Sequence, residues 1–172
     1  MKTIILVFLV LAIFNNYLPA EAKALPKKTD GYYYVYNRRS GLVMSVENGK
    51  TSSGARIVQY KNDGKKYHQW DMRYYEEGGK KYYVFVNRNS GKVLDVPNQS
   101  KNNGVQLIQK DYNGGKNQEY RLLKTSGKYY RMECRHSGKY VDVKDASPNK
   151  GAPLVQKAKK NIISQEWYFE KV

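Results

Sequence analysis

One segment of this chain occurs three times, over residues 32–70, 82–120 and 129–167. The copies align without a gap, and eight alignment columns hold the same residue in every copy. A repeat of fixed period constrains the architecture more than any single residue does, because each copy forms one structural unit that packs on its neighbours. The eight columns are Tyr32/Tyr82/Tyr129, Tyr33/Tyr83/Tyr130, Arg38/Arg88/Arg135, Ser40/Ser90/Ser137, Gly41/Gly91/Gly138, Val46/Val96/Val143, Gly54/Gly104/Gly151 and Gln59/Gln109/Gln156.

Each copy has the pattern of four short strands. In the first copy, Tyr33 and Val35 alternate along one face, and the pair Ser40-Gly41 predicts a turn, since glycine accepts positive φ. A second strand, the apolar pair Ile57-Val58 and a final element ending at Trp70 follow, and the other copies repeat this order. The sequence therefore predicts an all-β fold with three repeats of four strands. One copy is too small to bury its own apolar face, so we expect a closed sheet with a shared core.

The segments around the repeats predict the domain organisation. Residues 1–22 combine Lys2, a short apolar run and Ala20-Glu21-Ala22, which is typical of a signal peptide. We therefore expect a secreted, extracellular protein, with an N-terminal extension over residues 23–30 and one domain over residues 31–172. No other segment is long and apolar enough to predict a membrane span. Between the copies, Glu76-Glu77-Gly78-Gly79 lengthens the first connection.

Charge and cysteine content restrict the partners. The chain has a formal net charge of +16, which favours a soluble monomer and attracts polyanions; the alternative is a lysine-rich surface that is merely solvated. A secreted protein can use disulfides, but the single cysteine, Cys134, has no partner within the chain. We expect an unpaired thiol in or beside a strand.

A recurring motif links the chain to a known family. Gln118-Glu119-Tyr120 and Gln165-Glu166-Trp167 end two copies, and His68-Gln69-Trp70 ends the other. Together with the Ser-Gly-Lys-x-x-Asp-Val strands at 90–96 and 137–143, this pattern resembles the ricin B-type lectin family. The resemblance covers nearly all of the chain after the leader. It implies a β-trefoil with pseudo-threefold symmetry that recognises sugars without catalysis, with up to one shallow site per copy.

The resemblance also implies site residues. In such a site an aspartate accepts bonds from sugar hydroxyls, an amide completes the polar set, and an aromatic ring covers the apolar sugar face. The second copy offers Asp95, Asn117, Gln118 and the nearby Tyr112, although Lys110 stands in the ring column. The other copies match in part. The third has Asp142 and Gln165 with Ser164 and Lys157, and the first has Tyr60 with Ser45 and His68.

These incomplete matches leave two interpretations of the site residues open. Lys110 and Lys157 suggest acidic or sulfated glycans, including glycosaminoglycans, because a cation replaces the stacking ring. Alternatively, the Gln-x-aromatic element mainly stabilises the fold, with its glutamine bonded to backbone, and Asp95 and Asp142 are ordinary strand-end residues. The sequon Asn98-Gln99-Ser100 follows Asp95, and a glycan on it would crowd the candidate site.

Other function classes have less support. His68 and His136 lie in different columns and Cys134 lacks a partner, so the sequence predicts neither an enzyme nor a metal or cofactor site. Specific nucleic-acid binding fits the charge and the tyrosines but not the leader. The main alternative to a lectin is a trefoil toxin, inhibitor, or venom or saliva component that binds a protein or polyanion through its basic surface.

Overall fold

The computed structural model describes residues 24–172, so the predicted signal peptide and Lys23 lie outside the described residues. Within this range it contains thirteen strands and six short 3₁₀ helices, and no longer helix. The strands are β1 (Tyr33–Asn37), β2 (Val43–Val46), β3 (Ile57–Tyr60), β4 (Gln69–Glu77), β5 (Lys80–Asn87), β6 (Val93–Asp95), β7 (Val105–Gln106), β8 (Ile108–Lys110), β9 (Tyr120–Lys124), β10 (Tyr130–Cys134), β11 (Tyr140–Val143), β12 (Leu154–Lys157) and β13 (Trp167–Lys171). The 3₁₀ helices are Glu47–Gly49, Lys66–His68, Pro97–Gln99, Lys116–Gln118, Lys144–Ala146 and Ile163–Gln165.

Six strands close into a barrel. β1 pairs with β4, β4 with β5, and β5 with β9. β9 then pairs with β10, β10 with β13, and β13 with β1. All six pairings are antiparallel, and their closure removes the free edges that an open sheet would expose. The predicted closed all-β trefoil is confirmed.

Three hairpins cap one end of the barrel. They are β2–β3, β6–β8 and β11–β12, and the pairing of β12 with β7 and two isolated bridges join them into a triangle. The predicted third strand of the second copy is divided at Leu107. Here the backbone changes partner from β12 to β6, while the Leu107 side chain is fully buried.

The aromatic residues that end the three copies meet in the core. Trp70, Tyr120 and Trp167 are fully buried. The Trp70 Nε1 donates to the Met44 carbonyl at 3.0 Å, and the Trp167 Nε1 donates to the Val141 carbonyl at 3.1 Å. The Tyr120 hydroxyl has no hydrogen-bond partner among residues 24–172. The second copy therefore keeps the apolar part of the motif and loses its hydrogen bond.

The identical arginine column joins each copy to another. Each arginine stacks on a tyrosine of the Tyr32/Tyr82/Tyr129 column and donates to the residue after the motif's Gln or His position. We call this an arginine clamp. From the guanidinium carbon to the ring centroid, the distances are 4.3 Å for Arg38 and Tyr129, 4.4 Å for Arg88 and Tyr32, and 4.1 Å for Arg135 and Tyr82. The hydrogen bonds measure 2.5 Å from Arg38 to Glu166, 2.6 Å from Arg88 to Gln69, and 2.8 Å from Arg135 to Glu119.

The identical serine and glutamine columns make a second link between copies. Gln109 is fully buried and accepts from the Ser90 hydroxyl at 2.7 Å. Its Nε2 donates to the carbonyls of Lys50 and Ser52, both at 2.9 Å, in the preceding copy. Gln59 and Gln156 bond in the same way to Ser40 with Ser147 and Asn149, and to Ser137 with Ser100 and Asn102. We call each set a serine–glutamine bridge.

The N-terminal extension is fixed to the barrel. The Thr29 hydroxyl donates to Asp71 Oδ1 at 2.7 Å, and Arg73 Nε donates to the other oxygen of Asp71 at 2.8 Å. The Lys171 amine lies 3.1 Å from Asp30. No helix formed by residues 24–172 has the length and apolar character to cross a membrane.

Candidate functional site

The structure brings together the polar residues predicted for the second copy. Asp95 ends β6, and the 3₁₀ helix Lys116–Gln118 places Asn117 and Gln118 beside it. The Asn117 and Gln118 amides donate to Asp95 Oδ2 at 3.0 and 2.9 Å. Asp95 is only 1% exposed, and its Oδ1 has no partner among the described residues. The arrangement satisfies one carboxylate oxygen and leaves the other buried without a donor among residues 24–172.

The Gln118 side chain has a second, structural task. Its Nε2 also donates to the Asp111 carbonyl at 3.0 Å, and its Oε1 accepts from the Asn113 backbone at 3.0 Å. Gln165 repeats this pattern in the third copy, with bonds to the Ala158 carbonyl and the Lys160 backbone. Both glutamines thus shape the loop that precedes them, in agreement with the alternative that this column stabilises the fold.

The third copy forms the same core of the site with one amide fewer. Gln165 Nε2 donates to Asp142 Oδ2 at 3.0 Å, and Asp142 Oδ1 is buried without a partner in the described part of the chain. Ser164 takes the place of Asn117, and its buried hydroxyl also has no partner among residues 24–172. Lys157, in the ring column, lies 4.0 Å from Asp145.

The pKa of Asp95 differs from that of an ordinary surface carboxylate. Burial raises the pKa of Asp95, and the hydrogen bond from Gln118, the charge of Lys110 and the bond from Asn117 oppose that increase. Lys110 ends β8 with its side chain exposed. An anionic acceptor and a cation therefore lie close to each other in the second copy.

The Tyr112 ring also takes part in apolar packing. It packs, half-buried, against a small apolar cluster of Val84, Val86 and Val93, together with Leu25 of the N-terminal extension. This cluster is separate from the main core. The packing of the ring at this position depends on β5, β6 and the extension, and the spacing of Tyr112 from Gln118 in the sequence did not show it.

The first copy has an open cavity of about 210 Å³ at the corresponding position. Its walls include Tyr60, which was predicted, and also Tyr67 and Asp63, which were not. Tyr67 stands in the column of Asn117, and Ser45 stands in that of Asp95. The sequence contains a signal for this cavity, because Tyr67 replaces the amide of the Asn117 column. The first copy thus has aromatic side chains at the two positions where the second copy has Lys110 and Asn117.

A histidine organises this cavity. His68 is fully buried in the glutamine column, and its Nε2 lies 2.9 Å from Asp63 Oδ1. Burial lowers the pKa of His68, against the opposing effect of Asp63, so the ring is neutral at pH 7 and donates from Nε2. The Tyr67 ring packs edge-on against His68, with centroids 4.4 Å apart. His68 therefore holds Asp63 and Tyr67 at the cavity wall. Residues 24–172 contain no group of three or more potential metal ligands.

The fold and these three related positions define a β-trefoil protein of the lectin type. The model of the family described as ricin-type β-trefoil lectin domain-like matches residues 23–110 and 66–157. The chain belongs to this family. The membership supports carbohydrate binding in general.

Solved structures give the same assignment. ThreeFoil, a designed threefold-symmetric protein, is 41% identical, with a TM-score of 0.78 over 83% of this chain and 100% of its own. An exo-β-1,3-galactanase from Clostridium thermocellum is 33% identical, with a TM-score of 0.78 over 87% of this chain but only 32% of the enzyme. The Macrolepiota procera ricin B-like lectin, solved with lactose, is 14% identical and shows the fold alone, with a TM-score of 0.69 over 85% of this chain and 100% of the lectin. No curated protein sequence matches this chain.

Proposed function

We propose that this protein is a secreted, non-catalytic lectin whose principal sugar site lies in the second copy. The observation that carries the proposal is the Asp95 carboxylate, which two amides hold through Oδ2 while Oδ1 has no partner among the described residues. A buried acceptor without a donor is costly, and a sugar hydroxyl supplies the missing bond. Asp142 and Gln165 provide a second, weaker version of this site.

The same site favours glycans that carry sulfate or carboxylate groups. Lys110 occupies the position where the family pattern has a stacking ring, and its charge acts on Asp95. Lys157 occupies that position in the third copy. A cation beside a carboxylate lets one sugar donate a hydroxyl to Asp95 while its acidic group contacts the lysine. The net charge of +16 attracts such ligands, including glycosaminoglycans, over a longer range.

The first copy supplies a site with different chemistry. Tyr60 and Tyr67 line a cavity that has no lysine in the ring column, and Ser45 replaces the aspartate. Aromatic walls bind the apolar face of a neutral sugar by dispersion and burial. The neutral disaccharide lactose, which the Macrolepiota procera lectin binds in its solved complex, is a suitable probe for this cavity.

A glycan array at low and high salt tests the acidic preference. We expect the variant Lys110→Gln/Lys157→Gln to lose sulfated and sialylated hits and keep neutral ones. The matched control Lys50→Gln/Lys101→Gln removes the same charge from exposed loop positions and should keep both classes. An equal loss in the two variants would reduce the preference to bulk charge, and an array with only neutral hits would refute it.

The site assignment needs its own variants. Asp95→Ala with Asp142→Ala should abolish binding of acidic glycans that free sugar competes for, while circular dichroism shows an intact fold. Tyr60→Ala should weaken only the neutral-sugar hits. If a folded double aspartate variant keeps its acidic hits, the site lies elsewhere. Secretion is tested by sequencing the exported protein, whose first residue should lie near Lys23.

A further inference from the structure

The barrel end opposite the hairpin cap carries an apolar opening. Tyr33, Tyr83 and Tyr130, one of the identical columns, line it together with the equivalent residues Met72, Leu122 and Phe169. All six side chains are partly buried and continue the inner face of the barrel towards solvent. We call this surface the barrel mouth. The sugar positions of the three copies use none of these residues.

Two features break the threefold symmetry at the barrel mouth. The longer first connection extends the β4–β5 hairpin, so Tyr74 and Tyr83 face each other across the strands with ring centroids 5.8 Å apart. The N-terminal extension lies opposite, fixed by the bond of Thr29 to Asp71. Between them is a cavity of about 590 Å³ lined by Tyr33, Met72, Tyr74 and Tyr83, with Lys27 and Lys28 at its rim.

The groove continues across the barrel mouth. A second cavity of about 430 Å³ shares Met72 and Tyr83 with the first and adds Leu122, Tyr130 and Phe169, with Lys128 at its edge. Each cavity has the size of an ordinary small-molecule site, roughly 300–1,000 Å³. The two cavities adjoin at Met72 and Tyr83, and we treat them together as one elongated apolar groove with cationic groups at both ends.

The charges around the groove favour an anion. The acidic groups near it are already paired, Asp30 with Lys171 at 3.1 Å and Glu76 with Lys81 at 3.7 Å. Lys27 and Lys28 are exposed at one end, and Lys128 is exposed at the other, where it lies over the Tyr168 ring. A ligand here meets apolar walls along its length and ammonium groups at its end.

We propose that the barrel mouth binds a single-chain amphiphile with an anionic head group, such as a long-chain carboxylate. The chain lies along Met72, Tyr83 and Phe169, and the head group contacts Lys27 and Lys28. Tyr74 is decisive, because the second and third copies have Lys124 and Lys171 at its position. Only the first copy therefore places an aromatic side chain here, and that side chain is 44% exposed.

Isothermal titration with monomeric dodecanoate tests this proposal. We expect saturable binding of one dodecanoate molecule. Octanoate should bind at least about tenfold more weakly, because it lacks four methylenes. The cation dodecyltrimethylammonium, which has the same chain length, should not bind. Equal binding of the cation, or no dependence on chain length, would overturn the proposal. So would binding confined to phosphatidylcholine–phosphatidylglycerol vesicles, which indicates a membrane surface instead.

Two variants separate charge from apolar contact. Lys27→Glu/Lys28→Glu should weaken dodecanoate binding at least about tenfold, whereas Lys50→Glu/Lys101→Glu, with the same change in net charge, should leave it unchanged. Tyr74→Lys copies the residue that the other repeats tolerate, so the fold should persist, and it should weaken binding although it adds a positive charge. Stronger binding by Tyr74→Lys would show that charge alone attracts the ligand and would refute the groove. The glycan array of these variants should be unaltered.

Discussion

The serine–glutamine bridge of the second copy allows a worked test of how the copies hold together. Gln109→Leu keeps the approximate size of a fully buried side chain and removes three hydrogen bonds, to Ser90, Lys50 and Ser52. Each bond contributes about 1 kcal/mol net, and the Ser90 hydroxyl and the two carbonyls lose a partner. We therefore expect a cost of about 2–4 kcal/mol in the free energy of unfolding.

Urea unfolding followed by fluorescence measures this cost, and a thermal melt should show a fall of roughly 5–15 °C for a domain of this size. Gln59→Leu and Gln156→Leu break the same set of bonds in the other copies and should cost the same within about 1 kcal/mol. Ser90→Ala removes two bonds, the one that its hydroxyl donates to Gln109 and the one that it accepts from the Lys92 backbone N–H, and should cost about 1–2 kcal/mol. A loss below about 1 kcal/mol in all three glutamine variants, or a loss confined to one copy, would refute the role assigned to the bridges.

Two further predictions concern buried groups in the second and third copies. Tyr120→Phe removes a hydroxyl that has no partner in residues 24–172, so thermal unfolding should show unchanged or slightly higher stability, whereas Trp167→Phe loses the bond to Val141 and should cost about 1–3 kcal/mol. Burial raises the pKa of Asp95 against the bonds and charge of its neighbours, so the folded protein holds this proton more tightly than the unfolded chain, whose value is roughly 3.9. Relative to Asp95→Asn, the wild type should lose stability as pH rises from about 4 through the raised value. A stability difference that stays flat from pH 4 to 7 would contradict this.

The repeat in the sequence predicted the fold because the identical columns are those that build it. The arginine and glutamine columns carry the clamps and bridges between copies, and Val46, Val96 and Val143 are buried in the core. The sequence did not show the division of the third strand at Leu107, since it depends on a change of partner strand. Strand partners that are distant in the sequence leave no local signal.

The candidate site was predictable only in part. The family pattern placed Asp95, Asn117 and Gln118 together, and the structure brings these three side chains into contact. It did not predict the packing of the half-buried Tyr112 ring against the apolar cluster beside Leu25, because the contact involves the N-terminal extension. Nor did it reveal the cavity at Tyr67, where the first copy departs from the pattern.

The first and third copies are in contact where the two ends of the domain meet, although no peptide bond connects them there. β13 pairs with β1 over five residues, and the Val172 backbone donates to the Tyr32 carbonyl at 2.9 Å. This seam is held by the same clamp and barrel pairing as the two junctions that the peptide chain crosses. A circular permutant that links residue 172 to residue 31 and opens the chain in the turn at Gly127 should therefore reach the same fold, with each repeat in its present place around the axis.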